Sequence, residues 1–265
     1  MNAEPVLHIH PDAEILAAAV ARRLIARLAL AQKQHGDASV VLTGGSLGIN
    51  TLRAVAADAS RTEVDWQRVD FWWGDERFVA KDSPDRNELQ ARQALLDALD
   101  IDEDRVHAFG STDDFGSPHE AAEAYAEELR RVSGRDANDG GDGLPLPRFD
   151  VLLLGMGPDG HIASLFPDMA GIRQLDRAAI GVEDSPKPPP QRVSLTLPVI
   201  NSAEEVWLVV AGEDKACAAG LALAGANDVQ VPAAGARGRQ ATIWLVDQAA
   251  AARLPDALRA AGETY

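Results

Sequence analysis

The chain has 265 residues, of which 46% are hydrophobic, so it is large enough to bury a sizeable core. Its formal net charge of −16 repels nucleic acid and anionic membrane surfaces, and neither is an expected partner. The single cysteine, Cys217, excludes an intramolecular disulfide, and no apolar run reaches the roughly 18 residues of a membrane span. Met1–His10 lacks the pattern of a signal peptide, so we expect a cytoplasmic protein.

Short apolar runs alternate with helical patterns along the chain, as in a wound α/β sheet. The predicted strands are Val6–Ile9, Ser39–Leu42, Val69–Trp73, Val106–Phe109, Phe149–Leu154, Val193–Leu197, Val206–Val210 and Thr242–Val246. The predicted helices are Asp12–Gln34, closed by Gly36, then Ile49–Ala57, Asn87–Leu99 and Pro118–Val132. Gly74–Pro84 reads as a polar loop that follows the third strand.

Two stretches are irregular. Ser133–Pro147 is rich in Gly, Asp and Pro and is typical of a surface excursion, whereas Glu183–Gln191 carries four prolines and cannot be helical. Strand and helix patterns resume in the same style after Ser133–Pro147. We therefore expect one domain over residues 1–265.

A glycine turn, Leu42-Thr43-Gly44-Gly45-Ser46-Leu47-Gly48, lies between a strand and a helix. It could be a plain tight turn, a G-x-S-x-G nucleophile elbow with Ser46 as nucleophile, or an anion cradle built from backbone N–H groups. An elbow needs a later acid and histidine. Asp159 and His161 follow in that order but stand only two residues apart, so the cradle is favoured.

The loop Gly155-Met156-Gly157-Pro158-Asp159-Gly160-His161 follows a strand, where open α/β sheets bind ligands. It matches G-x-G-x-x-G, but Asp159 would face the pyrophosphate, and no long helix follows. We therefore expect no dinucleotide and no other cofactor. A neutral His161 can take a proton from water at neutral pH, and Asp159 can orient the ring.

Charged residues near other strand ends are further candidates. Within Trp73–Phe78, Arg77 either belongs to a solvated turn or stabilises developing negative charge, held by neighbouring carboxylates. Arg192 and Lys215 are isolated cations in apolar surroundings, and Lys215 precedes a helical stretch. Either could be an ordinary surface charge. His8 and His10 are read as structural, and we expect no metal site.

Together these segments resemble the 6-phosphogluconolactonase family, within the larger glucosamine-6-phosphate isomerase-like group. The motifs that carry the resemblance are Gly44-Gly45-Ser46, Trp73-Gly74-Asp75-Glu76-Arg77, Gly155-Met156-Gly157-Pro158-Asp159-Gly160-His161 with Ser164-Leu165-Phe166-Pro167, Arg192-Val193-Ser194-Leu195-Thr196 and Gly212-Glu213-Asp214-Lys215. The resemblance implies a Rossmann-like α/β fold with a mostly parallel sheet and helices on both faces. It also implies hydrolysis of 6-phospho-D-glucono-1,5-lactone, the second step of the oxidative pentose phosphate pathway.

The resemblance assigns roles by position. His161 matches the catalytic base, and Asp75, Arg77 and Asp159 match polar residues of the catalytic pocket. The phosphate-contacting positions are matched by Gly44, Gly45, Ser46, Arg192 and Lys215. The expected partner is a phosphorylated sugar lactone, and the expected assembly is a monomer or weak homodimer.

One position separates the lactonases from the related isomerases. The isomerases continue into a Phe-Asn-Glu-Pro segment whose glutamate helps to open the sugar ring, whereas Phe166 precedes Pro167 here. Leu47-Gly48 also departs from the Thr-Pro that many relatives carry after Gly-Gly-Ser. A sugar-phosphate isomerase, a serine esterase using Ser46 and a non-catalytic sugar-phosphate sensor remain as alternatives.

Overall fold

The computed structural model describes residues 4–134, 138–139 and 143–264 of the protein. Besides short 3₁₀ turns, the helices in this part of the chain are α1 (Ala13–His35), α2 (Gly45–Ala57), α3 (Asn87–Ala94), α4 (Pro118–Ser133), α5 (Leu197–Ile200), α6 (Ala216–Leu223) and α7 (Asp256–Ala261). The strands are β1 (Val6–His10), β2 (Ala38–Leu42), β3 (Val69–Trp73), β4 (Asp75–Arg77), β5 (Asn138–Asp139), β6 (Pro145–Leu146), β7 (Val151–Leu154), β8 (Ala179–Val182), β9 (Arg192–Leu195), β10 (Glu205–Val210), β11 (Ala241–Asp247) and β12 (Glu263–Thr264).

The main sheet has seven strands in the order β12-β1-β11-β10-β7-β2-β3, and every pairing in it is parallel. All residues of β2 and β7 are buried, which means that both faces of the sheet are covered. Parallel strands covered on both faces read as continuous apolar runs rather than as alternating ones. This is the pattern of Val151–Leu154, and the predicted α/β class is confirmed.

The first helix begins and ends where the sequence predicts. The side chain of Asp12 caps α1 by accepting hydrogen bonds from the backbone N–H groups of Glu14 and Ile15, at 3.0 and 2.8 Å. Gly36 ends the helix with φ of 92°, a left-handed conformation that glycine adopts at little cost.

A second, antiparallel sheet was not predicted. It has the order β4-β9-β8, and its register places Asp75 opposite Ser194 and Arg77 opposite Arg192. Part of the predicted polar loop is therefore strand β4. The predicted strand Val193–Leu197 is shifted, because β9 begins at Arg192 and Leu197 already opens helix α5.

The prediction of a strand at Val106–Phe109 is wrong. Only one parallel bridge forms, between Phe71 and Val106, with the His107 N–H donating to the Phe71 carbonyl at 2.8 Å. The next bond of the ladder is replaced by the Tyr125 hydroxyl, which donates to the His107 carbonyl and accepts from the Trp73 N–H. The buried hydroxyl thus takes the place of a direct hydrogen bond between the two backbone segments, and the strand pairing ends there.

Helix α3 ends earlier than predicted, and α2 begins earlier. Leu95 leaves the helical region with φ of −147°, and a 3₁₀ turn follows where the sequence predicted continued helix. Helix α2 starts at Gly45, so the glycine turn itself forms its first turn. The predicted surface excursion Ser133–Pro147 lies partly outside the described residues. Within the described residues, no helix combines the length and the apolar character needed to cross a membrane.

The central strand β7 provides a test of the core. Leu152 is fully buried between β2 and β10, whereas Leu175 is 64% exposed. We expect Leu152→Ala to lower the free energy of unfolding by about 2–5 kcal/mol, because it removes buried methyl groups and leaves a cavity. The matched Leu175→Ala variant should change it by no more than ~0.5 kcal/mol. If urea-induced unfolding gave the same loss of unfolding free energy for both variants, the described packing of Leu152 would be contradicted.

Candidate active site

Four neighbouring strands of the main sheet end on one side of a cleft of about 330 Å³. Loops after the carboxyl ends of parallel strands meet at the same edge, and ligands bind there in open α/β folds. The cleft is lined by Thr43, Gly44, Gly45, Asp75, Arg77, Asn87, Gly155, Met156, Gly157, Pro158, His161, Ala163, Lys187, Pro188, Arg192 and Lys215. Most of the predicted site residues are therefore brought together.

The glycine turn forms one wall of the cleft. Gly44 is the N-cap of α2, Gly45 has φ of 79°, and no described side chain caps the helix. The first N–H groups of α2 are thus left for a ligand. A β-carbon at Gly44 would collide with Oδ1 of Asn87, so close packing against that amide also requires glycine here.

The cleft continues into an adjoining space of about 350 Å³ that contains Ser46, Gly212, Lys215 and Asp247. The two spaces share Lys215 and the Gly44–Gly45 turn. Nζ of Lys215 donates to the Asp214 carboxylate at 2.7 Å. Lys215 therefore lies beside the start of α2, although it belongs to a different element.

His161 and Asp159 form a hydrogen-bonded pair. Nδ1 of His161 lies 2.5 Å from Oδ1 of Asp159, and the imidazole also packs against the Phe166 ring with centroids 4.6 Å apart. A carboxylate can only accept, so Nδ1 carries the proton and Nε2 has the lone pair. Among the described residues, none forms a hydrogen bond with Nε2. The imidazole can therefore take a proton from a bound molecule.

The charge state of Asp159 is set by its neighbours. Burial alone would raise the pKa of Asp159, but the hydrogen bond from His161 and the electrostatic effects of His161 and Lys187 outweigh it and lower the pKa to about 2. Asp159 therefore stays ionised throughout the neutral range. It acts as a fixed hydrogen-bond acceptor for the imidazole rather than as a proton carrier.

Asp75 is buried and contacts the loop that carries His161. Its Oδ2 accepts a 2.7 Å hydrogen bond from the Ser164 hydroxyl and lies 3.9 Å from Nη1 of Arg192. The backbone N–H of Ser164 in turn donates to the Ser194 hydroxyl at 3.1 Å. Asp75 thereby links strand β4 to the loop that carries His161.

Arg192 has most of its donors occupied. Its Nε donates to the Pro189 carbonyl, and its Nη2 donates to the Lys187 and Pro188 carbonyls, at 3.0–3.1 Å. Burial lowers the pKa of Arg192, although nearby Asp75 opposes this effect. The sequence did not reveal that Arg192 anchors the proline-rich stretch Glu183–Gln191.

Arg77 lies beside a buried carboxylate that organises the start of α3. Nη1 of Arg77 donates to the Asp85 carbonyl at 2.8 Å, while its Nε is buried with no hydrogen-bond partner among the described residues. The fully buried Glu76 accepts from the backbone N–H groups of Arg77, Asn87 and Glu88. Burial raises the pKa of Glu76 to about 7, against the opposing effects of Arg86 and these N–H groups.

Sequence reasoning missed two side chains that line the cleft, Asn87 and Lys187, and the contact of the buried Ser164 with Asp75. Asn87 is almost completely buried, and its Nδ2 donates to the Asp75 carbonyl at 2.9 Å. Lys187 places Nζ 3.5 Å from Nδ1 of His161, and Ser164 binds Asp75 as described above. A lone lysine among four prolines was the only sequence signal for Lys187, and Asn87 read simply as a helix start.

The nucleophile-elbow geometry is not formed. The Ser46 hydroxyl makes no hydrogen bond to any described residue, and Ser46 lines the adjoining space whereas His161 lines the main cleft. His161 instead pairs with Asp159 in its own loop. Within the described residues, no group of three or more His, Cys, Asp or Glu side chains is arranged to hold a metal ion.

Comparisons with known proteins agree on one family. The family description of glucosamine-6-phosphate isomerases/6-phosphogluconolactonase matches residues 11–244. The chain is 53% identical to 6-phosphogluconolactonase from Streptomyces coelicolor, covering 97% of this chain and 98% of that protein. It is 47% identical to 6-phosphogluconolactonase from Mycobacterium tuberculosis, covering 94% and 98% of the two chains.

A solved structure extends the likeness to the fold. The 6-phosphogluconolactonase from Trypanosoma brucei matches with a TM-score of 0.78 at 28% identity, covering 95% of this chain and 99% of that one. The chain belongs to the family of glucosamine-6-phosphate isomerases and 6-phosphogluconolactonases.

Proposed function

We propose that the protein hydrolyses 6-phospho-D-glucono-1,5-lactone to 6-phospho-D-gluconate, the second step of the oxidative pentose phosphate pathway. The observation that carries the proposal is the His161–Asp159 pair, which faces the same cleft as the bare N-terminus of α2 and Lys215. One end of the cleft thus offers a base and the other an anion site. The names and high identity of the curated relatives support the same reaction.

The phosphate end is assigned to the first turn of α2 and to Lys215. The N–H groups of Gly45 and Ser46 carry no competing cap, and the helix N-terminus favours negative charge. Lys215 lines both spaces beside that turn and adds a mobile cation. Arg192 contributes through Nη1, since its other donors hold the proline-rich stretch.

The reacting end is assigned to His161. Nε2 takes a proton from a water molecule as the water oxygen bonds to C1 of the lactone, and the carbonyl oxygen becomes an oxyanion. The bond from C1 to the ring oxygen then breaks, and the ring oxygen receives the proton from the imidazolium. A lactone is an activated ester, so positioning and a general base are sufficient chemistry for this step.

The oxyanion is assigned to Arg77 or to a backbone N–H group of the cleft. The buried Nε of Arg77 has no hydrogen-bond partner among the described residues, so it can donate to an oxyanion without breaking an existing bond. The Asp85 carbonyl holds Nη1 of the same guanidinium at 2.8 Å. Asp75 and Asp159 complete the polar part of the pocket.

Two features favour hydrolysis over the alternatives. Phe166 is buried and packs against the His161 ring, at the position where the isomerases carry a ring-opening glutamate. Ser46 makes no hydrogen bond to a histidine in the described residues, as a serine esterase would require. We also propose a cytoplasmic enzyme of one domain over residues 1–265, a monomer or weak homodimer without nucleic-acid or membrane partners.

The reaction itself is tested by adding fresh 6-phosphogluconolactone to the purified protein and following acid release. We expect the rate to exceed the spontaneous hydrolysis and to scale with protein concentration. Acid release at the spontaneous rate, with a folded protein, would contradict the proposed function.

His161→Ala tests the general base. We expect kcat to fall by about 10²–10⁴-fold, the usual contribution of general acid–base catalysis, with the unfolding transition retained. His119→Ala is the matched control, because His119 is exposed and pairs with Glu183 outside the cleft. A His161→Ala variant with the kcat of the wild type would remove this residue from the mechanism.

Lys215→Ala tests the phosphate end. Charge-assisted hydrogen bonds are worth roughly 1.5–3 kcal/mol, so kcat/KM for the phosphorylated lactone should fall about tenfold to a hundredfold, mainly through KM. Unphosphorylated gluconolactone should be little affected. Lys81→Ala is the control, since Lys81 also pairs with an aspartate at 2.7 Å but is 63% exposed and does not line the cleft. Equal losses with both lactones would show that Lys215 does not read the phosphate.

A further inference from the structure

The Asp159 carboxylate has two cationic neighbours rather than one. Oδ1 lies 2.5 Å from Nδ1 of His161 and 3.7 Å from Nζ of Lys187, and the two nitrogens are 3.5 Å apart. Nδ1 already donates its proton to Asp159, and an ammonium is only a donor. The contact therefore brings two hydrogen-bond donors together, and it becomes repulsive when the imidazole is charged.

The position of Lys187 is fixed by its backbone. Its carbonyl accepts from Nη2 of Arg192 at 3.0 Å and from the Ser185 hydroxyl at 2.9 Å, and its N–H lies 3.2 Å from the same hydroxyl. The prolines of Glu183–Gln191 restrict the remaining backbone angles. The Lys187 side chain therefore extends from an anchored loop, and 38% of it is exposed.

We propose that Lys187 is a positioning residue that shares the Asp159 carboxylate with His161 and keeps the imidazole neutral and ready to act as a base. A carboxylate alone would stabilise the imidazolium and hold the proton on Nε2. The ammonium offsets that stabilisation. It also makes the imidazolium formed during the reaction a better acid, which favours return of the proton to the leaving ring oxygen.

The other charged groups near His161 do not replace Lys187. Among the described residues, those that line the same cleft are Asp75, Arg77, Arg192 and Lys215. Arg192 and Asp75 lie 3.9 Å apart, and Lys215 pairs with Asp214. Lys187, in contrast, has its Nζ within 4 Å of both His161 and Asp159.

Lys187→Met tests the role of the charge, and this part of the inference rests on the proposed lactonase activity. We expect the acid limb of the kcat/KM profile to move to higher pH by about one unit, the size expected for two charges at this separation near water. The pH of the limb, and not the height of the alkaline plateau, is the readout, because Lys187 also lines the substrate cleft. Lys187→Arg keeps the charge and should keep the profile of the wild type.

A second measurement needs no activity. The imidazole signals of His161, followed by NMR, should titrate at a higher pH in Lys187→Met than in the wild type by the same amount. This readout also separates His161 from Glu76, which titrates near neutrality but is buried under α3. Unchanged His161 signals, or an unchanged acid limb with a raised KM, would overturn the inference. Failure of the wild type to hydrolyse the lactone would instead contradict the proposed function.

Discussion

The active site depends on the parallel pairing of β10, β7, β2 and β3. The loops that follow parallel strands all lie at one edge of the sheet. Residues that are far apart in the sequence therefore meet there. Gly44 follows β2, Asp75 follows β3, and His161 follows β7. The Thr43 hydroxyl, which accepts from the Gly155 N–H at 3.2 Å, joins two of these loops directly. A change that shifted one strand would therefore displace both ends of the cleft.

The second constraint is electrostatic. The proposed substrate is a dianion and the chain has a net charge of −16, so its binding site needs a local excess of cations. Of the charged side chains that line it in the described residues, Arg77, Lys187, Arg192 and Lys215 are cations, against the single carboxylate of Asp75. This local excess of cations supports the proposal that the cleft binds a phosphorylated ligand.

The sequence predicted the elements whose residues carry their own signal. The apolar run Phe149–Leu154 and the capped helix after Asp12 were found because burial and capping are local properties. The antiparallel sheet β4-β9-β8 was missed because its strands have only three or four residues and form only through their partners. Val106–Phe109 has the composition of a strand, yet the Tyr125 hydroxyl binds the His107 carbonyl that a neighbouring strand would otherwise bind. Composition cannot reveal such a distant competitor.

The same limit applies to the site. His161, Asp159 and Lys215 were predicted from motifs, whereas the positions of Lys187 and Asn87 depend on contacts between separate loops. The most direct measurement is a crystal structure with 6-phosphogluconate bound. The account predicts the phosphate at the first turn of α2 beside Lys215, and the C1 end of the ligand beside the His161 imidazole. A phosphate bound beside His161, or a product bound outside this cleft, would contradict it.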